Sequence, residues 1–496
     1  MTFLTRFCAP TILCALATLP ASATSYFVSQ SAGNDSNDGL SQSAPFETLA
    51  KASSLVHLKG GDAILLKRGD VWHEQFLIPS SGSSFNSRLV VGAYGSGRLP
   101  IIDGADTISG WSLISSDTYQ THRTEASYKV FVDALYKQTI PLTRQSNLAN
   151  AINTAGSFYA DADTLYVHLL DGSDPAKHTI EVSGSTHKSG IVASNKSYVT
   201  VQDLEIIRTT NSGVAFVLDY GNLFGTSGNQ NNTLNALTTF NTGSTAPMPF
   251  GFEGGILVRA NTSFGSRALM GWQITNNNIG RLDSPYGLNY NIGGIELRGT
   301  YGALVKGNTV KTTNAMGIQD RPYGLASTCR YNLIAENTLS DNEGNITADS
   351  PYDQVTSNTI TNSRGFGIQV QSYGYAADNT IAHLGLSRDS RLYNGIDGNG
   401  GDHARYVNNI ITDVHACSIT VEGNAIGVSI EGGRYDSNNA SGCPLYTTAS
   451  AGAVKFRGSI SWILNTAVPR PFAYRIKDPT DSAHRYTAAE FQKITK

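Results

Sequence analysis

The chain has 496 residues, a formal net charge of −3 and only 15% charged residues. So small a charge excludes general electrostatic steering toward a polyanion; nucleic acid is not an expected partner, and attraction for an acidic ligand must be local. With 50 glycines and few charges, the balance suits stacked short strands joined by turns rather than a helical globule.

In chain order, residues 1–23 read as a signal peptide. Arg6 supplies the positive start, Ala9 to Leu19 the apolar stretch and Ala21-Ser22-Ala23 the cleavage site. The apolar run is too short to span a bilayer and no later segment competes with it, so no membrane span is expected. The mature protein is expected to be secreted, to the periplasm or beyond. Cys8 and Cys14 leave with the signal; Cys417 and Cys443 could pair, leaving Cys329 alone, and no spacing resembles a metal-binding set.

Residues 24–104 predict a cap and the first coils of a solenoid. Pro45 to Ala52 predicts a helix closing its exposed end, with Leu49 and Leu55 facing the first coil. Residues 105–187 break the rhythm: YKVFVDALY and DTLYVHLLDG read as hairpin strands of a β-rich insertion. Residues 188–465 carry the repeat. Residues 466–496 form a tail with a candidate helix from Thr487 to Thr495.

Two cassettes interleave along the repeat. One is Asn-x-(Ile/Val/Leu), at Asn277, Asn308, Asn337, Asn358, Asn379 and Asn409, with intervals of 31, 29, 21, 21 and 30 residues. About twenty residues make one coil of a parallel β-helix, and the excess goes into loops. Asn tolerates left-handed geometry and can bond to its equivalent in the next coil, so this series predicts a structural ladder. The other cassette places an apolar strand start at Ile191, Val214, Ile256, Ile295, Ile318, Ile346, Ile368, Ile396 and Ile419. Two strand-like series predict two sheets per coil.

The opening YFVSQSAGNDSNDGLSQSAPFETLAKA, followed by GDAILLKRGDVWHEQFLIPSSG and VVGAYGSGRLPIIDG, resembles secreted right-handed parallel β-helix proteins with a pectate-lyase-like fold. The resemblance implies an all-β solenoid, export and action on a polysaccharide by lyase, hydrolase or epimerase chemistry. It carries over no catalytic residues: the aspartate-rich signature of polygalacturonase-type hydrolases and the Asp-Pro-His signature of mannuronan epimerases are both absent.

With each Ile inward, the first and third residues after it point outward. The first column reads Val192, Ala215, Leu257, Glu296, Gln319, Thr347, Gln369, Asp397 and Thr420; the third reads Ser194, Val217, Arg259, Arg298, Arg321, Asp349, Gln371, Asn399 and Glu422. The early coils are bland and the later ones polar. Three stacked arginines repel one another unless an anion or neighbouring acids relieve them. Tyr301, Tyr323, Tyr352 and Tyr373 follow the same strands and could stack on sugars. Asp320 should face inward unless Pro322 bends the strand or Arg298, Arg321 or Arg330 pairs with it. Asp397, Asn399 and Asp402 offer oxygen ligands of the kind calcium takes, without EF-hand spacing; calcium is the one cofactor kept open.

The first expectation is β-elimination on an acidic, uronate-containing polysaccharide. Arg298 and Arg321 would neutralise the uronate, with Tyr323 or His403 moving protons and Glu296 and Asp349 at the centre. Arg259, Asp320, Gln319, Gln369, Gln371, Asp397, Asn399, Tyr301, Tyr352 and Tyr373 would bind substrate. The alternative is glycoside hydrolysis by paired carboxylates, such as Asp349 with Asp397 or Glu296 with Asp349. C5 epimerisation and a non-catalytic carbohydrate-binding solenoid rank lower. A capped solenoid needs no partner, so a monomer is expected.

Overall fold

The inward residues of the second cassette stack in register. A computed structural model describes residues 23–133, 141–187, 189–218, 230–243, 254–260, 269–283, 293–322, 329–385, 394–423, 425–437, 443–447 and 454–464. In it Val214, Ile256, Ile295, Ile318, Ile346, Ile368, Ile396 and Ile419 are partners rung by rung. All are fully buried. The proposed signal segment, apart from Ala23, and the tail lie outside the described residues.

The architecture is a parallel β-helix. Among the described residues, three parallel sheets of 13, 12 and 11 strands run along it. One coil passes from Met316–Arg321 in the third sheet to Leu333–Ala335 in the first and Thr338–Ser340 in the second. It returns to the third at Gly344–Ala348. Two sheets per coil, as the cassettes suggest, is therefore one too few. Strands of three residues are too short to form a series of their own, and the Asn cassette marks the corner between the first two sheets.

That corner is a continuous amide ladder. From Asn277 to Asn409, each Nδ2 donates to the Oδ1 of the next Asn at 2.9–3.0 Å. The same Oδ1 accepts the preceding Asn's backbone N–H at 2.9–3.1 Å. The left-handed turn falls one residue earlier, at Asn276, Gly307, Glu336, Ser357, Asp378 and Asn408. The Asn is thus selected for its buried amide, which satisfies corner groups that an apolar side chain would strand.

The capping helix is shorter than Pro45 to Ala52 suggests, running Leu49–Ser53 with Thr48 as N-cap. Thr48 Oγ1 accepts from the Lys51 N–H at 3.0 Å, and Leu49 and Ala52 are buried. Between the first coils and the repeat, the strands Ala105–Ile108, Ser127–Val132 and Ile180–Gly184 form one antiparallel sheet. Five further strands between Ser112 and His168 form a mixed sheet, antiparallel except where Thr143–Arg144 pairs with Ser157–Ala160, and this region has its own apolar cluster around Val130, Phe158, Leu165 and Val167.

Arg208 fastens the insertion to the solenoid. Its guanidinium bonds to Asp103 of the second sheet (Nε to Oδ1, 3.0 Å) and to Glu181 of the insertion (Nη2 to Oε1, 2.7 Å), and pairs with both remaining oxygens. Nearby, buried Lys129 donates to the carbonyls of Asn241 and Thr242 at 2.8 and 3.0 Å. Cys417 is disulfide-bonded and its partner across the ladder is Cys443, while Cys329 is a buried thiol.

Candidate active site

The third sheet sets the outward columns as alternation requires. Leu257, Glu296, Gln319, Thr347, Gln369, Asp397 and Thr420 are successive register partners, as are Arg259, Arg298 and Arg321. Glu422 pairs in register with Asn399, whose side chain lies outside the description. Asp349 follows strand Gly344–Ala348 and donates its backbone N–H to the Asp320 carbonyl at 3.1 Å.

The centre of this face is enclosed rather than open. Glu296, Gln319 and Thr347 are fully buried, and Arg298 and Asp397 nearly so. Arg298 Nε donates to Glu296 Oε1. Burial pushes the Glu296 carboxyl up to about 7, although Arg298, Arg321 and Arg259 all pull it down. In this closed arrangement Glu296 and Arg298 hold each other beneath the face, a correction to their expected place among solvent-facing groups.

Solvent does reach the next rungs. Arg321 Nε lies 3.5 Å from Asp349 Oδ2, and their side chains are 25% and 19% exposed. Burial raises Asp349 to about 6; Arg321 and a Gln371 hydrogen bond oppose the shift, and Asp320 and Asp397 add to it. Asp397 accepts from Thr420 Oγ1 at 3.1 Å. Glu422 is raised by its burial and by Asp397. Arg259, Gln369 and Gln371 are partly exposed. Glu422 stands in the outward column, yet its type and spacing alone gave it no role; only its proximity to Asp397 marks it.

Asp320 does not reach this face. It points into the coil, where Thr300 Oγ1 donates to its Oδ1 at 2.9 Å. Neither Pro322 nor an arginine draws it out. Its neighbours are Asp353, Ser350 and Asn332, and burial raises both carboxyls, with Asp320 raising Asp353 further. Asp353 also accepts from the Asn332 N–H at 2.8 Å. Enclosed within the coil, the pair lies at a turn and not on the outward columns.

The tyrosines form one stack at the turn between the third and first sheets. Tyr301, Tyr331, Tyr352, Tyr373 and His403 follow one another with ring centroids 4.8–5.7 Å apart. Tyr352 and Tyr373 are stacked at 15°, and Tyr373 and His403 at 5°. Tyr352, Tyr373 and His403 cover one another's faces, whereas Tyr301 meets Tyr331 edge-on at 84°. Tyr331 belongs to this stack but lies outside the two columns and was not among the expected residues. Tyr323 lies outside the described residues.

The proposed calcium set cannot be followed whole, because the Asn399 side chain lies outside the described residues. Asp402 Oδ1 accepts from the Ile426 N–H at 2.9 Å, whereas Asp397 bonds to Thr420. Among the described residues no group of three or more His, Cys, Asp or Glu side chains is placed to hold a metal ion.

The fold is a parallel β-helix whose third sheet carries a largely buried polar face rich in acids. No protein-family model matches the chain. It is 30% identical over 118 residues to a lacto-N-biosidase of Bifidobacterium longum subsp. longum; the match spans 23% of this chain and 7% of that protein. Among solved structures it is similar to a GH136 lacto-N-biosidase from Eubacterium ramulus, with TM-score 0.46 and 14% identity, over 89% of this chain and 68% of that one. It is similar to XylC, solved with xylose, with TM-score 0.45 and 14% identity over 88% and 69%. A rhamnogalacturonan lyase gives TM-score 0.40 and 13% identity over 78% and 82%.

Proposed function

We propose that this is an exported carbohydrate-active enzyme, a glycoside hydrolase working on the third sheet. One observation carries the reading: Asp349 combines a carboxyl raised to about 6 with partial exposure on the polar face. A general acid needs its proton near the working pH and a route to the leaving oxygen. Asp397, two strands further on or about 9.6 Å along the axis, is the partner carboxylate. The two also sit in different columns, Asp397 being in register with Gln369 and Thr347 rather than with Asp349, so the side chains must lean together to reach the spacing of an inverting pair. Glu422 flanks Asp397. The lacto-N-biosidase match agrees with this chemistry.

β-Elimination remains a second reading because Arg321 is partly exposed in the third column. Its strongest sequence argument weakens, however, since the arginine column carries its own acids: Glu296 on Arg298 and Asp349 on Arg321. The two readings separate by product. Incubation with neutral and acidic glycans should release new reducing ends without the ultraviolet absorbance of an unsaturated uronate. Appearance of that absorbance would overturn hydrolysis in favour of elimination.

A further inference from the structure

Three consecutive rungs of the first outward column carry polar atoms that no hydrogen bond satisfies. Gln319 is fully buried, and neither its Oε1 nor its Nε2 has a partner. One strand on, buried Thr347 Oγ1 is in the same position; one strand back, so is Glu296 Oε2, the oxygen that Arg298 Nε does not use. The three residues share a side because Ile295, Ile318 and Ile346 fill the other, in register. Native proteins leave few such groups, and each one calls for a water, an ion or a ligand.

The chemistry of the trio selects among these. An amide offers two donors and an acceptor, a hydroxyl one donor and two acceptor sites, and the carboxyl an oxygen. That mixture matches groups that both donate and accept, a sugar hydroxyl or the water it would displace. It does not match a hard cation, which takes six or more oxygens. A uronate carboxylate is also disfavoured. Arg298 is engaged by Glu296 and Arg321 by Asp349, and Asp349, Asp397 and Glu422 lie along the same face.

We propose that Gln319, Thr347 and Glu296 form a subsite for the hydroxyl groups of an uncharged sugar unit. This rests on the hydrolase reading for the adjoining Asp349 chemistry and narrows the substrate to a neutral glycan rather than an acidic polysaccharide. Polar atoms left unpaired in the free protein, and satisfied only by substrate, are how a site rejects an analogue lacking the hydroxyl.

The test measures binding apart from catalysis. Xylose, galactose and N-acetylglucosamine, then galacturonate and glucuronate, are titrated into the wild type and Asp349→Asn by ligand-observed NMR. At least one neutral sugar should bind both proteins, and more tightly than either uronate. Gln319→Leu should weaken that binding about 10–100-fold while leaving Tm unchanged or raised, because it removes a buried amide without partners. Thr347→Val should act in the same direction. Preferential uronate binding, or unchanged neutral-sugar affinity in Gln319→Leu, would overturn the subsite. So would a steep drop in Tm in both variants, which would assign the atoms to the fold. Binding that depends on Gln319, with no glycan cleaved by the wild type, would support the subsite and remove the hydrolase reading. Glycan cleavage with a kcat/KM that Gln319→Leu leaves unchanged would do the reverse.

Discussion

Two buried polar clusters sit on the same solenoid and are finished differently. At the insertion, Arg208 meets Asp103 and Glu181 so that both carboxylates and the guanidinium find partners. On the third sheet, Gln319, Thr347 and Glu296 Oε2 are equally buried and left unbonded. The settings differ too: Asp103 lies on a parallel strand and Glu181 on the antiparallel insertion sheet, whereas the third-sheet trio rests wholly on parallel strands. A completed cluster joins two parts of the chain, whereas an incomplete one retains binding capacity. Selection for stability alone would have filled the second with apolar groups.

The largest contrast should come from breaking the centre where its chemistry is proposed. Asp349→Asn keeps the shape and removes the proton donor, so kcat/KM should fall about 10²–10⁴-fold, the usual worth of a general acid, with little change in Tm. In the wild type, activity should decline as pH rises through about 6, where Asp349 loses its proton. A rate profile flat across that range would remove Asp349 from the acid role. At the finished cluster the effect should fall on stability instead. Arg208→Leu leaves two buried carboxylates without their cation, a loss of about 3–5 kcal/mol. Calorimetry should show it with glycan affinity at the distant face retained.

Repeats made much of the fold legible. The Ile column fixed the third sheet's register because a one-residue slip would turn every side chain over, and the Asn intervals located the corner. What the sequence hid was whatever depends on neighbours far along the chain. Gln319 and Glu296 read as exposed because alternation tells which side a residue faces, not whether that side is covered. Asp320 was correctly suspected of facing inward, but its partner Asp353 lies on the next coil and carries no motif. Arg208 has no local signal, as its acids come from residues 103 and 181. Tyr331 escaped because turn positions follow no strand period.

A smaller effect tests whether a completed ladder behaves like the Arg208 cluster. Asn337→Ala removes the acceptor for the Asn308 N–H and amide, stranding groups worth about 1–3 kcal/mol each. Urea unfolding should shift to a lower midpoint with an unchanged slope. An unaltered midpoint would mean the corner closes without its amides.

The smallest effect uses a buried acid that belongs to neither cluster. Glu205 is 1% exposed, and burial raises its carboxyl from 4.5 to about 7 despite the attraction of Arg98. Between those values the folded chain holds a proton that the unfolded chain has released. Stability therefore falls as pH rises from about 4.5 to 7 and levels off above. Glu296 contributes with the same sign. Glu205→Gln cannot ionise, so it should flatten part of that slope and exceed the wild type by on the order of 1–3 kcal/mol above pH 7. Tm measured against pH checks this. A slope identical to wild type would place the whole dependence on Glu296 and the inward Asp320–Asp353 pair, making the sheet face and its supporting turn the acid-stabilised part of the molecule.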